Sequence, residues 1–413
     1  MKIGILREGK IPPDKRVVLS PNQCAQFIQQ YPNIDLVVQP SPIRCFSDDQ
    51  YLSVGINMQE DLSDCDILMG VKEVDINDLI PEKTYLYFSH TIKEQQYNRQ
   101  LLKKMLELKI RMVDYEVLTD INGKRIIGFG RYAGIVGCYN GFLAIGKRTG
   151  TYDLKPAYMC KDREEMELEL KKIILPKIKI IITGAGRVGN GILELINIIG
   201  IKEVSIDDFL NIDFDEAVFV HLNTMDYNTR IDGKEGNKSN FYGNPKEYKS
   251  DFMKFAKQAD FFIAGHYHAA DSPFLFTRDD AKSKDFKIRT VADISCDIDG
   301  PVASTIRCSS ITDPIYGYNP NTEEEDDYRK QDVITVMAVD NLPCELPKDA
   351  SIGFGQNLLT YIIPNLIGGD LNNIIERATI CENGNLKNSY SYLEGYVMNH
   401  DNLFRPKNEW FHL

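Results

Sequence analysis

Ionisable side chains follow several predicted strands in the first third of the chain, at the points where those strands end. They are basic residues, one histidine and carboxylates: Arg7, Lys10, Lys15, Arg16, Lys72, Glu73, His90, Lys93 and Glu116. Because the carboxyl ends of parallel strands meet at one edge of a sheet, these side chains are expected to lie together, where ligands bind in open α/β folds. The pattern predicts a locally basic site for a small anionic ligand.

Each of these residues also has an ordinary explanation. A single Lys or Arg on a surface is usually a solvated charge, and a single His is usually structural. The functional interpretation is favoured because residues of complementary chemistry all follow strands of one predicted sheet: Arg16, Lys72, His90 and Glu116.

A second set of residues suited to ligand binding is the glycine motif Gly184-x-Gly186-x-x-Gly189. It follows a β-branched run from Ile178 to Thr183, and an apolar helical pattern begins directly after it. In such a unit the glycines allow a tight turn, close approach of the backbone to a pyrophosphate and close helix packing, while amides at the helix start bind phosphate. The motif predicts a dinucleotide site, and a plain strand–helix turn is the alternative.

An acidic residue bears on the choice of dinucleotide. Asp207, with Asp208 beside it, lies 18 residues beyond Gly189 at the end of a predicted second strand, Glu203–Ile206. An acid there would accept the adenosine ribose hydroxyls of NAD and would repel the 2′-phosphate of NADP. Capping of the next helix is an equal alternative. The expected cofactor is therefore NAD or NADP, with NAD favoured.

Alternating strands and helices must position these residues, which indicates the α/β class with parallel sheets. The predicted strands are Lys2–Leu6, Asp35–Gln39, Ile67–Val71, Thr84–Phe88, Arg111–Asp114, Asp260–Ala264, Arg289–Ile294 and Asp332–Val339. A helical pattern covers Gln95–Leu108. The small residues of Phe129–Gly141 predict a closely packing helix that leads into a second domain, with a loose loop as the alternative.

The remaining segments are predicted from composition. Asn223–Lys249 is expected to be a surface excursion, Glu323–Asp327 a solvated turn, and Phe354–Leu366 an apolar helix followed by two helical tails. A terminal segment of this kind could return to the first domain and make it discontinuous. We predict a substrate domain of residues 1–130 plus 325–413 and a dinucleotide-binding domain of residues 131–324.

Composition excludes several functions. The chain has 413 residues and a formal net charge of −12, which predicts two domains and argues against nucleic acid or an anionic membrane as partner. No apolar run approaches a membrane span and no signal-peptide core is present, so a cytoplasmic protein is expected. The nine cysteines lack metal or disulfide spacing, and His266-x-His268 lacks a third ligand, so no metal site is predicted.

Several runs together resemble one enzyme family. They are Lys72-Glu73, Phe88–Lys93, Asp114–Glu116, Phe129–Gly134, Ala292–Gly300 and Val339–Pro343. They resemble the lysine-forming saccharopine dehydrogenases, and above all the lysine–2-oxoglutarate reductase half of bifunctional aminoadipate semialdehyde synthases. Both belong to the alanine dehydrogenase and transhydrogenase-like superfamily. The similar segments keep the family's order from about residue 3 to residue 366.

The resemblance implies two Rossmann-like domains with parallel sheets, an active site in the interdomain cleft, and a first domain built from both ends of the chain. It also implies a reaction: reversible, NAD(P)-dependent reductive condensation of L-lysine with 2-oxoglutarate to saccharopine. Because saccharopine carries several carboxylates, fixed cations must hold it.

The resemblance assigns roles by position in the motifs. Lys72 and His90 would be the acid–base pair, with Glu73 and Glu116 tuning the lysine. Substrate contacts would come from Arg16, Lys93, Glu116 and Arg125, with Arg7 as a weaker candidate. Cofactor contacts would come from Gly184, Gly186, Arg187, Gly189, Asp207, Asp297 and Asp340, the last beside Asn341. Structural hydrogen bonding is an equal alternative for Glu73, Asp297 and Asp340.

Two other functions stay open. An alanine dehydrogenase-like or lysine dehydrogenase enzyme would share the cofactor domain and the Lys/His pair, would need fewer cations, and would depend on ammonia. A catalytically silent nucleotide-binding protein is disfavoured by Lys72 and His90. His266-Tyr-His268 departs from the family's pattern beside the cofactor. The chain is expected to carry no fused second enzyme, to bind small-molecule substrates and to form a possible homo-oligomer.

Overall fold

The computed structural model describes residues 1–269 and 271–398, and these residues form two compact units. Unit 1 contains Met1–Phe129 together with the described residues from Pro347, and unit 2 contains Gly130–Leu346. The second boundary therefore falls after residue 346, whereas the sequence prediction put it after residue 324. The reason is that the strand Ile334–Met337 pairs with Thr290–Asp293 in the sheet of unit 2.

The strands are numbered in chain order. They are β1 Lys2–Ile5, β2 Asp35–Val38, β3 Asn57–Met58, β4 Ile67–Lys72, β5 Thr84–Phe88, β6 Arg111–Asp114, β7 Lys179–Thr183, β8 Lys202–Glu203, β9 Val218–Leu222, β10 Asn228–Arg230, β11 Tyr248–Ser250, β12 Phe261–Ala264, β13 Thr290–Asp293, β14 Ile315–Asn319, β15 Glu324–Asp326, β16 Ile334–Met337, β17 Thr379–Glu382 and β18 Asn385–Leu386. The strands predicted in the first third of the chain are confirmed.

The α-helices are numbered in the same way. They are α1 Pro21–Gln30, α2 Asp48–Leu52, α3 Arg99–Glu107, α4 Gly130–Thr149, α5 Arg163–Glu169, α6 Arg187–Ile199, α7 Ile206–Asn211, α8 Lys238–Gly243, α9 Met253–Ala256, α10 Arg278–Lys282, α11 Pro347–Asn357, α12 Ile363–Gly368, α13 Ile374–Ala378 and α14 Glu394–Met398. A π-helical turn, Leu358–Ile362, joins α11 to α12. The predicted helix Phe354–Leu366 corresponds to this interrupted helix.

Unit 1 is organised around a sheet whose strand order is β18-β17-β6-β5-β4-β1-β2-β3. The strands from β1 to β6 run parallel to one another. Ile67–Lys72 is an apolar run buried along nearly its whole length, as expected for a strand covered on both faces. The carboxyl ends of β1, β4, β5 and β6 therefore lie side by side at one edge.

The terminal segment of unit 1 corrects one prediction. Two helical tails were expected, but Thr379–Glu382 is a strand that pairs antiparallel with β6, and Asn385–Leu386 pairs with it in turn. Ile380 and Cys381 are fully buried in the core beneath the sheet. Burial of these apolar side chains stabilises a strand at this position. The part of the predicted tails beyond residue 398 lies outside the described residues.

Unit 2 contains a second sheet, with the order β15-β14-β16-β13-β12-β7-β9-β8. Its strands from β16 to β8 are parallel, and β14 and β15 add an antiparallel edge. The fold is thus α/β with two parallel-rich, Rossmann-like units, as predicted. Phe252, Phe255 and Phe262 are fully buried in its core.

The glycine-rich helix α4 packs against α6, the helix that follows the glycine motif. A Cβ atom at Gly134 would lie 2.0 Å from the carbonyl oxygen of Val188, and one at Gly191 would lie 2.1 Å from that of Arg131. Real Cβ atoms do not approach oxygen that closely, so only glycine allows the two backbones to pack at this distance. The predicted closely packing helix is confirmed, and its partner is α6.

One loop prediction is wrong, and a second segment is more regular than its composition suggested. Glu323–Asp327 is wrong as a turn, because Glu324–Asp326 forms β15 and pairs with β14. Its charges are matched by basic neighbours: Arg307 contacts Glu325 at 2.7 Å. The Asn223–Lys249 excursion contains the antiparallel pair β10–β11 and the short helix α8.

Among the described residues, no helix has both the length and the apolar character that crossing a bilayer would require.

Candidate active site

The polar edge of unit 1 is centred on the buried carboxylate of Glu116, which follows β6. Lys93 Nζ lies 2.9 Å from its Oε1, and Arg125 Nη2 lies 3.4 Å from the same oxygen. Arg125 Nε also donates to the Glu116 carbonyl oxygen at 2.9 Å. Burial would raise the pKa of Glu116, but His90, Lys93 and Arg125 outweigh it and lower the pKa to about 2. Two fixed cations thus share one ionised carboxylate, which leaves this cluster positive.

His90 contacts the same carboxylate from the end of β5. Its Nδ1 lies 3.4 Å from Glu116 Oε2, and its backbone is left-handed, with φ 55°. Burial lowers the pKa of His90 below its usual value, while Glu116 works in the opposite direction. A neutral imidazole is therefore favoured near pH 7, and such a ring can accept a proton.

Asp114 is a buried carboxylate beneath this cluster that the sequence analysis did not select. Its Oδ1 accepts a hydrogen bond from the Glu116 amide at 2.8 Å, and its Oδ2 accepts one from Ser89 Oγ. Burial and the charge of Glu116 raise the pKa of Asp114 to about 7. It fixes the turn that carries Glu116.

Lys72 is the last residue of β4. Its amide and that of Val71 both donate to the Glu8 carboxylate, at 2.9 and 2.6 Å. Burial raises the pKa of Glu8 to about 7. The charge of Lys72 lowers the pKa of both His90 and Lys10, which indicates that the Lys72 ammonium faces this cluster. Sequence analysis missed Glu8, although it follows β1 as directly as the selected residues follow their strands.

Arg16 is buried and ion-paired with Asp14. Its Nη2 lies 2.6 Å from Asp14 Oδ2, and its guanidinium lies 4.2 Å from the centre of the Phe129 ring. Burial would raise the pKa of Asp14, but Arg16 outweighs it and the pKa falls to about 2. The weaker candidate Arg7 instead forms an exposed ion pair with Glu60 at 2.6 Å.

Glu73 follows Lys72 directly in the chain and has its own partner. It forms an ion pair with Lys10, and its second oxygen is buried without a hydrogen bond among the described residues. Unit 1 thus brings the predicted substrate and acid–base residues to one edge of its sheet: Arg16, Lys72, His90, Lys93, Glu116 and Arg125.

The glycine turn of unit 2 lies between β7 and α6. Gly184 has φ 99°, and a Cβ there would lie 2.1 Å from the Gly265 carbonyl oxygen. A Cβ at Gly189 would lie 1.9 Å from the Gly184 carbonyl oxygen. No atom lies within 4 Å of a Cβ built on Gly186, so its backbone faces open space at the start of α6. These three environments fit a dinucleotide whose pyrophosphate approaches Gly186 and the first residue of α6, Arg187.

Two histidines support this turn, and neither role was foreseen from the sequence. His221 Nε2 donates to the Gly184 carbonyl oxygen at 2.8 Å from the neighbouring strand β9. His266 Nδ1 lies 2.9 Å from the hydroxyl of Thr183, and burial lowers the pKa of His266 to about 3. The ring is therefore neutral and belongs to the support of the turn. Among the described residues, no group of three His, Cys, Asp or Glu side chains could hold a metal ion.

The structure corrects the predicted position of Asp207. The expected strand Glu203–Ile206 is only the short edge strand β8, and Asp207 lies in the first turn of α7. On the side of β8, the strand that pairs with β7 is β9, which ends at Leu222. Ser205 caps α7 by accepting from the Asp208 amide at 3.1 Å. Neither aspartate is therefore the capping residue, and neither follows the strand next to the glycine turn.

Asp297 and Asp340 follow the neighbouring strands β13 and β16. Burial and the charge of Asp293 raise the pKa of Asp297 to about 7. Asp340 is exposed, and Asn341 beside it has a left-handed backbone. Both aspartates thus belong to the edge of the sheet at which the glycine turn lies.

Comparison with known proteins gives one matching family model and several relatives. Residues 4–136 match the alanine dehydrogenase/PNT N-terminal domain. The alpha-aminoadipic semialdehyde synthase of Arabidopsis thaliana is 27% identical over 95% of this chain and 41% of its own length. The saccharopine dehydrogenase [NAD(+), L-lysine-forming] of Yarrowia lipolytica is 23% identical over 88% of this chain and 92% of its own length.

Solved structures agree with the fold. An L-alanine dehydrogenase superposes with a TM-score of 0.63 at 14% identity, covering 94% of this chain and 96% of its own. A transhydrogenase from Sinorhizobium meliloti superposes with a TM-score of 0.55 at 13% identity, covering 94% and 100%. The chain spans about two fifths of the length of the aminoadipic semialdehyde synthases that it matches. The matched domain, the relatives and the fold all fit the family of lysine-forming saccharopine dehydrogenases, within the alanine dehydrogenase and transhydrogenase-like superfamily.

Proposed function

We propose that the chain is an NAD(P)-dependent oxidoreductase of the CH–NH group that reversibly condenses L-lysine with 2-oxoglutarate to saccharopine. One observation supports this above the others. Lys93 and Arg125 share the single carboxylate of Glu116 in a buried cluster that also contains His90. A positive, water-poor site with an acid–base side chain suits a polyanionic amine adduct.

The cations of this edge have the binding role in the proposal. Arg16, Lys93 and Arg125 are already oriented by Asp14 and Glu116, so their positions are fixed before substrate arrives. Fixed cations bind carboxylates with a smaller loss of side-chain entropy than mobile ones. A guanidinium has five N–H donors, so Arg16 and Arg125 can bind a substrate carboxylate while keeping their own partners.

His90 and Lys72 have the proton-transfer roles. The ε-amine of the substrate must lose a proton before it attacks the ketone, and neutral His90 is suited to accept it. The ketone oxygen must gain two protons before it leaves as water. The Lys72 ammonium is suited to donate the first and then to take the second proton of the added nitrogen, and protonated His90 is suited to donate the second proton to the oxygen. In the reverse direction each group returns its proton, as microscopic reversibility requires.

The dinucleotide is held in the proposal by Gly184, Gly186, Gly189 and the first turn of α6. When bound, it supplies or accepts the hydride. We propose NAD, because the name of the Yarrowia lipolytica relative carries that cofactor. With Asp207 located in α7, the sequence argument for NAD is weaker, and paired assays with the two reduced cofactors decide between them.

The test supplies lysine, 2-oxoglutarate and each reduced nicotinamide dinucleotide, and follows the absorbance of the reduced form. We expect oxidation that requires both lysine and 2-oxoglutarate and that does not require ammonia. Oxidation that depends on ammonia with one oxo acid would instead identify an alanine dehydrogenase-like or lysine dehydrogenase enzyme. Tight cofactor binding without turnover for any amino donor would identify a silent nucleotide-binding protein.

The proposal extends to partners and location. The partners are the small molecules of the reaction, and a homo-oligomer stays a prediction that sedimentation analysis would test. We propose a cytoplasmic site of action, whereas the bovine relative is named as a mitochondrial protein. Cell fractionation with an antibody to the chain separates these two locations.

A further inference from the structure

Two cysteines of unit 2 meet beside the ends of neighbouring strands. Cys296 lies three residues beyond β13, and Cys308 precedes Ser309, whose amide donates to the Ala338 carbonyl oxygen at 2.7 Å just beyond β16. β13 and β16 pair directly. Cys308 Sγ donates to the Cys296 carbonyl oxygen at 3.8 Å, and each thiol shifts the pKa of the other more than any other neighbouring side chain does.

The segment that carries the two thiols is fixed by Asp293. One oxygen of its carboxylate accepts from Ser295 Oγ and the other from Thr305 Oγ1, each at 2.7 Å. Cys296 itself has a left-handed backbone, with φ 57°. A residue other than glycine keeps that conformation only where its surroundings impose it. The contact between the two cysteines is therefore built into the loop.

The two thiols differ in accessibility and in acidity. Cys308 is exposed, and the neighbouring Cys296 thiol lowers its pKa, although burial and the charges of Asp340, Asp293 and Asp297 oppose this effect. The Cys308 thiol, together with burial, raises the pKa of Cys296. Thiolates are the reactive form of cysteine. Cys308 is therefore the thiol that reacts first, and Cys296 is the thiol that reacts with it.

We propose that Cys296 and Cys308 are a reversible thiol–disulfide site that responds to peroxides and that lies beyond the catalytic function proposed above. The Cys308 thiolate attacks one peroxide oxygen, the O–O bond breaks, and the leaving hydroxide takes a proton to become water, which leaves Cys308 as a sulfenic acid. The Cys296 sulfur then attacks the Cys308 sulfur, the S–S bond forms, and hydroxide leaves as water with the Cys296 proton. Two thiols lose two electrons and two protons, and the peroxide is reduced to two waters.

The location of the site gives the disulfide a consequence for cofactor binding. Asp297 is the residue after Cys296, and Asp340 is close enough to raise the pKa of both thiols. Joining the sulfurs moves the loop that carries Asp297 relative to the end of β16. We expect this movement to weaken the binding of the reduced nicotinamide dinucleotide and expect a thiol reductant to restore it.

The first experiment maps the bond in the full-length protein. Reduced protein is treated with hydrogen peroxide, remaining thiols are alkylated, and peptides are analysed by mass spectrometry before and after dithiothreitol. We expect a Cys296–Cys308 cross-link, about 2 Da lighter than the two reduced peptides together, that dithiothreitol removes. Cys308→Ser should abolish the cross-link, Cys296→Ser should leave Cys308 as a sulfenic or higher oxide, and Cys344→Ser should retain the cross-link as the matched control.

Two outcomes overturn the site: oxidation of Cys308 without a bond to Cys296, and a bond that joins two chains. A fluorescence titration with reduced nicotinamide dinucleotide tests the consequence separately from turnover. Equal affinity of the cross-linked and reduced proteins would overturn the effect on binding. Because the cross-link is read by mass, its presence or absence does not depend on the reaction that the enzyme catalyses.

Discussion

The polar edges of the two sheets are built in opposite ways. In unit 1, charged side chains are buried and compensate one another, as Glu116 does with Lys93 and Arg125. In unit 2, the glycine turn works through backbone and empty space, since Gly186 has no neighbour where a side chain would lie. In the proposed function, the first edge recognises charge with side chains, and the second edge leaves room for a large ligand to meet amide groups. Substitutions at the two edges should therefore impair different properties of the protein.

The largest effect is expected at the glycine turn of unit 2. Gly189→Ala places a Cβ 1.9 Å from the Gly184 carbonyl oxygen, so the turn must open. We expect loss of dinucleotide binding together with a lower melting temperature, because the added methyl group cannot be accommodated unless backbone atoms of the turn move. Gly186→Ala is the matched control, because its Cβ has room in the protein: it should melt like the parent protein and lose only affinity. Fluorescence titration and thermal unfolding measure both, and normal binding by Gly189→Ala would contradict the packing argument.

The next largest effect is expected at the polar edge of unit 1. Lys72→Met removes the ammonium that the proposal uses to donate protons, so kcat should fall by about a hundredfold or more while dinucleotide affinity is retained. Lys103, an exposed lysine of α3, provides the control. Lys103→Met should leave kcat within about twofold of the parent. Steady-state kinetics with saccharopine decide, and an unchanged kcat for Lys72→Met would remove Lys72 from the mechanism.

A smaller effect is expected for the buried arginine. Arg16→Ala should raise the KM for 2-oxoglutarate or saccharopine by about tenfold, since a carboxylate would lose a paired donor. It would also leave the buried Asp14 carboxylate without its ion-pair partner, so thermal unfolding must be followed in parallel. Arg7→Ala, at an exposed ion pair with Glu60, should leave the KM unchanged. An unaltered KM for both substrates in Arg16→Ala would contradict its binding role.

The smallest effect separates two buried glutamates. Glu116 is surrounded by cations and has a pKa of about 2. Glu345 has no such cations among the described residues, and burial raises its pKa to about 8. The Glu345 side chain accepts a hydrogen bond from Asn140 Nδ2 at 2.8 Å. A raised folded-state pKa gives stability that is present below the unfolded value of about 4.3 and is lost as pH rises through 8. A lowered pKa, as for Glu116, gives stability that is lost as pH falls from about 4.3 towards 2.

Glu345→Gln should therefore be more stable than the parent protein at pH 9 and similar to it below pH 5. Urea unfolding across this range measures the difference in the free energy of unfolding. The exposed Glu324→Gln provides the control and should follow the parent at every pH. Parallel stability curves for Glu345→Gln and the parent would show that Glu345 is ionised in the folded protein at neutral pH.

Much of the fold was predictable because short local runs of the sequence indicate its strands. The runs Thr84–Phe88 and Arg111–Asp114 are strands with the predicted bounds, and the residues that follow them do lie together. The acidic run around Glu325 forms a strand despite its low strand propensity. Arg307 compensates its charge, and pairing with β14 satisfies its backbone.

The supporting carboxylates were not predictable in this way. Glu8 binds amides 63 and 64 positions away, and Asp114 binds a serine 25 positions away, so no local pattern announces either contact. The position of Asp207 failed for a related reason. The prediction placed Asp207 by counting residues from the glycines. In the folded sheet, however, it is β9 and not β8 that pairs with β7. The sequence therefore predicted which residues gather at the candidate catalytic edge better than it predicted the carboxylates that hold that edge in place.

The strand β17 also affects the order of folding during synthesis. It completes the sheet of unit 1 beside β6, and Cys381 reaches the Ile110 carbonyl oxygen across 271 positions of the chain. As the ribosome makes the protein, β6 emerges early and its edge stays unpaired while all of unit 2 is translated. An exposed strand edge invites pairing with other chains, so a nascent chain stalled before residue 379 should be the form most prone to aggregation.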